Sequence, residues 1–171
     1  MVPKIFLVVL FFFLFSTSQA LAESSYVLPY PSALPGNPFY KASEIKDLLL
    51  EFWYFGDFGK FSYNLKQADK YLVEAKTLFD YRQYLLGYDA LKKSDSYYAK
   101  VFPALQSAST RKKNISDKLI IRAEASQKHI EELGKMKNMV PEFFDWVPEK
   151  QKPQELKLWE AIALSTSIRR N

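Results

Sequence analysis

Apolar residues recur at helical spacing through most of this chain. The clearest stripe lies within residues 58–79 and advances by four and three residues; its members are Phe61, Leu65, Ala68, Leu72, Ala75 and Phe79. Asp57 stands just before this segment, where an aspartate can cap the first turn. The pattern predicts a long amphipathic helix with one buried face.

A preceding helix is predicted over 38–55, because Asn37 can cap it and proline is tolerated at its first position, Pro38. Gly56 is expected to end it. Its apolar positions are Ile45, Leu48, Leu49, Phe52, Trp53 and Phe55. Its acidic residues are Glu44, Asp47 and Glu51, for which we expect a solvated face.

Three further helices are predicted. The third spans 82–107 and should kink or end near Val101, because Pro103 lacks the N–H that a helix interior needs. Residues 106–114 should then form a loop or frayed turn. The fourth spans 112–138, with outward Glu132 and a buried stripe of Ile115, Leu119, Ala123, Ser126, Ile130 and Leu133. A short helix over 155–165 precedes a basic tail that includes Arg169 and suits a helix C-terminus.

No β-hairpin is expected, because glycine is scarce and no Asn-Gly or Asp-Gly turn separates alternating runs. The predicted fold is therefore all-α: an antiparallel bundle of about four main helices plus a short C-terminal helix. Four segments follow from this reading: a signal peptide at 1–22, an extended strap at 23–37, the bundle at 38–142, and a proline-punctuated segment with the last helix at 143–171.

The first 22 residues are typical of a secretory signal peptide. Lys4 gives a positive start, an apolar run covers 5–15, and Ala20 and Ala22 form a small-x-small cleavage pattern. An uncleaved membrane anchor is the alternative, but a spanning helix needs about 20 apolar residues and polar residues 16–19 interrupt the run. We expect a cleaved, extracytoplasmic protein, secreted or associated with the envelope, without a stable membrane anchor.

Residues 26–41 combine prolines with large apolar side chains. Prolines 29, 31, 35 and 38 favour an extended path of low entropy. We interpret the segment as a strap whose Val27, Leu28, Tyr30 and Leu34 cover the seam of the bundle. A stiff spacer that holds the bundle away from a surface is the alternative.

The same segment resembles the opening of an uncharacterised family of exported bacterial helical proteins, a domain of unknown function with the pattern LPYPGxLPxxPLYxLK. The matching residues are Leu28, Pro29, Tyr30, Pro31, Leu34, Pro35, Pro38 and Tyr40. Ser32 and Phe39 depart from the pattern. Weaker matches follow at Asp57, Lys60, Leu65, Ala68, Leu72, Glu74 and Ala75, and then at His129, Val140 and Pro141. The resemblance implies an exported helical protein and brings no catalytic residues.

Composition narrows the possible partners. The chain has 24 basic and 19 acidic residues and no cysteine, so disulfides cannot stabilise it. This mild positive charge on an exported chain does not favour nucleic-acid binding. The candidate partners are an envelope protein and an anionic surface polymer or lipid headgroup, but for so mild a charge we favour a soluble surface with a slight excess of lysine.

The sequence predicts no catalytic, metal or cofactor site. His129 is the one histidine, and a lone histidine makes a poor zinc site. We expect it to be partly exposed on its helix. A serine–histidine–acid triad would need the same histidine, and no nucleophile-elbow motif is present.

Two aromatic clusters are candidates for an interaction surface. In the first, Trp53 and Tyr54 cannot both point inward, because residues 52–55 sweep a full helical turn. The second comprises Phe143, Phe144 and Trp146 between prolines. Core packing is nevertheless the favoured interpretation for both clusters, with Phe52, Trp53, Phe55 and Phe58 filling the junction of the first two helices.

The expected function is a non-enzymatic scaffold or protein-interaction module at the cell envelope. Two alternatives stay open. One is an extracytoplasmic small-ligand-binding or sensor domain with an apolar pocket between helices. The other is an envelope hydrolase, which would need paired carboxylates facing one cleft.

Overall fold

The computed structural model of the protein describes residues 24–150 and 152–171, and the predicted signal peptide lies outside them. The described chain is mostly helical and also contains a small antiparallel sheet. Its helices are α1 (Tyr40–Trp53), α2 (Gly56–Asp80), α3 (Tyr84–Tyr98), α4 (Val101–Thr110), α5 (Ser116–Lys137) and α6 (Leu158–Arg170); its strands are β1 (Phe143–Trp146) and β2 (Gln154–Lys157). The predicted all-α class is correct in broad terms.

Helix α2 is the centre of the bundle. All six residues of its predicted stripe are buried, with at most 5% of each exposed. They divide between two apolar clusters, one around Leu72 and Phe79 and the other around Phe61 and Ala68. The stripe prediction is therefore confirmed, and α2 provides the surface on which the other helices pack.

Helix α3 returns antiparallel to α2 at close range. A side-chain carbon on Gly87 would lie 2.5 Å from the Phe79 ring, so glycine is needed there. Further along, the Ser94 hydroxyl donates to the Ala68 carbonyl at 2.7 Å. These contacts bring Asp95, one residue later, into the interior of the bundle.

The predicted break near Val101 is confirmed. Helix α3 ends at Tyr98 and α4 begins at Val101, so Pro103 falls in the first turn of a new helix, where its missing N–H costs no hydrogen bond. The predicted loop at 106–114 is wrong in its first half, because α4 continues to Thr110.

Helix α5 buries only part of the predicted stripe: Leu133 is buried as predicted, whereas the other members are half-buried or exposed. Leu119 is 38% exposed, and Ala123 is also exposed. The inward residues are Ala125, His129, Glu132, Leu133 and Met136. Glu132, expected outside, accepts from Lys76 at 2.5 Å and Lys135 at 2.8 Å. Polar residues lie inward here because partners on this and on other helices satisfy them.

The expectation of no hairpin is wrong. β1 pairs antiparallel with β2, with Phe144 opposite Leu156 and Trp146 opposite Gln154. Aromatic residues favour strands, and prolines 141, 148 and 153 bound the segment without interrupting either strand. β2 occupies the start of the predicted last helix, so α6 begins at Leu158 and includes the supposed basic tail.

Residues 24–39 contain no strand and lead into α1 by turns. Leu28 and Leu34 pack against one apolar cluster. Val27 and Tyr30 are 85% and 95% exposed, so their predicted place in the seam is wrong. Neighbouring side chains of an extended chain point to opposite sides, so Val27 and Leu28 cannot both face the bundle.

Candidate functional site

Helix α1 packs on the bundle through its polar side. Asp47 is its one fully buried residue, and its carboxylate accepts a hydrogen bond from Lys70. The Tyr63 hydroxyl donates to the Asp47 carbonyl at 3.1 Å. The expectation that Asp47 lies on a solvated face is therefore wrong.

The first half of α1 is held by further polar contacts. The Tyr40 hydroxyl donates to Glu74 Oε1 at 2.9 Å, and burial raises the pKa of the Glu74 carboxyl above its usual value. Lys93 Nζ lies 3.0 Å from Glu44 Oε1. These bonds to α2 and α3 fix which side of α1 faces inward.

The opposite side of α1 is apolar and faces solvent. We call this the α1 apolar face; it comprises Ile45, Leu48, Leu49, Phe52 and Trp53, which are 63–81% exposed, and Phe55 just beyond the helix, which is 85% exposed. With side chains of these sizes, the exposed apolar area is on the order of 800 Å². Monomeric proteins rarely expose more than about 300–600 Å² in one patch, and larger patches mark interaction sites.

The two residues of the first aromatic cluster, Trp53 and Tyr54, lie in different environments. Trp53 belongs to the α1 apolar face, whereas Tyr54 turns inward with its ring 5.8 Å from that of Tyr63. The favoured interpretation, core packing, is wrong for Phe52, Trp53 and Phe55, and Phe58 is half-buried. Tertiary contacts on the polar side of α1 determined this outcome, and the helical pattern alone carries no sign of them.

The second aromatic candidate does not form a continuous exposed patch. Phe144 is half-buried, with its ring 4.8 Å from that of Tyr84, and Trp146 is also half-buried. Phe143 points the other way and is 52% exposed. The period-two alternation of strand β1 separates these side chains, so this segment mainly attaches the hairpin to the bundle.

A buried polar network lies on the other side of α2. It joins Asp69 of α2, Asp95 of α3, His129 of α5 and Arg169 of α6, each at most 9% exposed. His129 Nε2 lies 2.7 Å from Asp69 Oδ1, and Arg169 Nε lies 3.2 Å from His129 Nδ1. Arg169 also forms an ion pair with Asp95.

These contacts fix the state of the histidine. Arg169 can only donate, so Nδ1 accepts and the proton of the neutral ring lies on Nε2, toward Asp69. Burial, together with the Arg169 charge, lowers the pKa of His129, and the hydrogen bond to Asp69 opposes this shift only in part. Both ring nitrogens are therefore occupied by structural partners.

Other polar groups complete the network. Arg169 Nη2 donates to Ser94 Oγ at 2.7 Å, and Ser165 Oγ donates to Asp95 Oδ2 at 2.6 Å. The Tyr26 hydroxyl donates to Asp69 Oδ2 at 2.7 Å, so the N-terminal segment also contributes. The network links the N-terminal segment to four helices, and its groups are arranged for structural stability.

The prediction for one member of this network is wrong, because His129 was expected to be partly exposed and has no exposed surface. Arg169 lies in the last turn of α6, in agreement with its predicted place at a helix C-terminus, but it is also buried. A sequence signal for Arg169 exists: Leu158, Ile162, Ser165 and Arg169 advance by four, three and four, so the arginine continues the inward stripe of α6.

Within residues 24–150 and 152–171, no cluster of three or more histidine, cysteine or acidic side chains could hold a metal ion. Helices of the described chain are all too short or too polar to cross a membrane. No protein-family model, curated protein or solved structure matches the sequence. The resemblance at residues 26–41 accordingly stays a prediction.

Proposed function

We propose that the protein is an exported, non-enzymatic helical scaffold that binds another component of the bacterial cell envelope through the α1 apolar face. The main support for this proposal is that α1 packs on the bundle through its polar side. Its polar side is bonded to the bundle, and most of its large apolar side chains remain in solvent. Keeping such a surface in water is costly unless a partner covers it.

Two further features support the proposal. The single histidine is fully buried, and both of its ring nitrogens have structural partners, which favours a non-enzymatic role. The first 22 residues have the pattern of a secretory signal peptide, and the resemblance at residues 26–41 also implies export.

The alternative of small-ligand binding has one observation in its favour. A groove of about 600 Å³, within the range of ligand sites, lies between the end of α1, the start of α2 and α4. Phe52 and Phe55 line it together with Lys60, Lys100 and Arg111. Phe52 and Phe55 belong both to this groove and to the α1 apolar face. The groove and the face therefore form one continuous surface.

The test is cell fractionation of the full-length chain expressed in a bacterial host with a working secretion system. We expect wild type to remain with the envelope and the variant F52S/W53S to be released, with at least about a ten-fold fall in the retained fraction. A matched control is V147S/L164S, whose positions are 70% and 60% exposed elsewhere. Equal retention of F52S/W53S and wild type, or a chain that stays in the cytoplasm, would overturn the proposal.

A further inference from the structure

The charges around the α1 apolar face are strongly unequal. Glu44 and Asp47 are each paired with a lysine of the bundle. Among the described residues around this face and its groove, four surface lysines have no ion pair: Lys41, Lys46, Lys60 and Lys100. The one described carboxylate there without an ion pair is Glu51. The apolar surface is therefore bordered by excess positive charge.

The groove at the end of α1 has the same character. Lys60, Lys100 and Arg111 line it beside two carboxylates. One of these, Asp57, is already bonded to Lys113 at 3.0 Å and Arg111 at 3.3 Å, and the lysine bond is the main cause that holds its pKa below the usual value. An anionic group that entered the groove would meet cations at its rim.

Leucine, phenylalanine and tryptophan on one face with lysines around it are typical of a helix that lies in a membrane interface. We infer that the α1 apolar face binds the surface of a bilayer that contains anionic phospholipid. The apolar side chains enter the boundary between headgroups and acyl chains, and the lysines contact the headgroup phosphates. This inference rests on the proposed function and names its partner.

A second copy of the chain fits the face less well. A two-fold contact through α1 would bring the same patch together from both copies. It would gather Lys41 and Lys46 of each copy around one contact, with Glu51 as the one unpaired acid of this helix in the structure described. An anionic bilayer instead neutralises all of these lysines, and each lysine near such a surface adds to binding.

The experiment measures directly whether Trp53 contacts the lipid bilayer. Two full-length single-tryptophan proteins are compared: W146F/W159F, which retains Trp53, and W53F/W146F, which retains Trp159 on α6. Both carry the same first 23 residues, so any attachment through that segment is equal in the two. The probe is a phosphatidylglycerol–phosphatidylcholine vesicle whose lipids are brominated near the headgroup end of the acyl chains.

We expect quenching of Trp53 to exceed that of Trp159 by at least about five-fold, because an interfacial helix inserts only about 5–10 Å. Adding K41Q/K46Q to the protein that retains Trp53 should weaken vesicle binding roughly ten-fold on anionic vesicles and leave binding to pure phosphatidylcholine unchanged. Since both lysines are exposed, this variant should fold as wild type does.

Several outcomes would overturn the inference: equal quenching of the two tryptophans, no quenching of Trp53, or equal binding to neutral and anionic vesicles. A blue shift of Trp53 that grows with protein concentration, without vesicles, would assign the face to a second copy. If envelope retention depends on Phe52 and Trp53 but Trp53 is not quenched, the proposed function stands and a protein partner replaces the lipid.

Discussion

Helices α1 and α6 are similar in length and in amphipathic character, yet they pack in opposite ways. α1 has 14 residues and α6 has 13, and both are amphipathic. α6 buries Leu158 and Ile162 in the core. α1 instead buries Asp47 and leaves Leu48, Leu49, Phe52 and Trp53 in solvent.

The difference shows that a helix's partners, together with its apolar stripe, determine which side is buried. Burying one leucine or phenylalanine stabilises a fold by roughly 1.5–3 kcal/mol. The exposed apolar side chains of α1 do not contribute this stabilisation. Helix α1 is held by hydrogen bonds and ion pairs to α2 and α3. α6 combines both kinds of contact, because its apolar stripe ends in the buried Arg169.

The largest predicted effect is the loss of stability on removing Arg169, the buried arginine of α6. The substitution R169A leaves Asp95 buried without its cation, and breaking a buried ion pair in this way costs about 3–5 kcal/mol. Urea unfolding followed by far-UV circular dichroism measures the loss. The neighbouring substitution R170A, at an exposed position, should change stability by less than about 0.5 kcal/mol. Similar losses for the two variants would mean that the network contributes little.

The second prediction is a pH dependence centred on His129. Its pKa is lower in the folded protein than the usual value of about 6.5. As the pH falls below about 6.5, the unfolded chain takes up a proton that the folded chain refuses, so the free energy of unfolding decreases. For one proton, the free energy of unfolding falls by at most about 1.4 kcal/mol per pH unit. The fall stops once the pH is below the pKa of His129 in the folded protein.

The variant H129Q separates this effect from the carboxylates. A glutamine can still donate to Asp69 and accept from Arg169, but it does not titrate. Unfolding is measured from pH 7.5 to pH 5 for both proteins, and the difference between the two curves isolates the histidine. Glu74, whose pKa is raised by burial, contributes equally to both and cancels. Parallel curves would show that His129 is not held neutral by the fold.

Much of the fold could be predicted from the sequence. The α2 stripe has strong periodicity and only apolar members, and Pro103 places the break between α3 and α4. These features depend on neighbours along the chain. The hairpin was missed because its connection at 147–153 contains no short turn signal, although the residues that pair are only 8 to 14 positions apart along the chain.

The candidate surface could be predicted only in part. The pattern identified the aromatic residues of α1 and required that Trp53 and Tyr54 point apart, but it could not determine which side of α1 is buried. That choice depends on Lys70 and Glu74, about 20 to 35 residues away along the chain. The contacts of Asp69 and His129 were missed for the same reason, whereas Arg169 could have been predicted to point inward from the periodicity of α6.

The smallest predicted effect is on the α1 side of the comparison, and it is the most informative. The variant F52S/W53S should leave the free energy of unfolding within about 0.5 kcal/mol of wild type, because both side chains are about 80% exposed. Phenylalanine, tryptophan and serine also have similar helix propensities. On α6, by contrast, I162A should cost about 2–5 kcal/mol, since Ile162 is 2% exposed. A loss of more than about 2 kcal/mol in F52S/W53S would mean that these rings pack within the protein. An unchanged stability would show that any loss of envelope or vesicle binding in this variant reflects the missing surface and not a damaged fold.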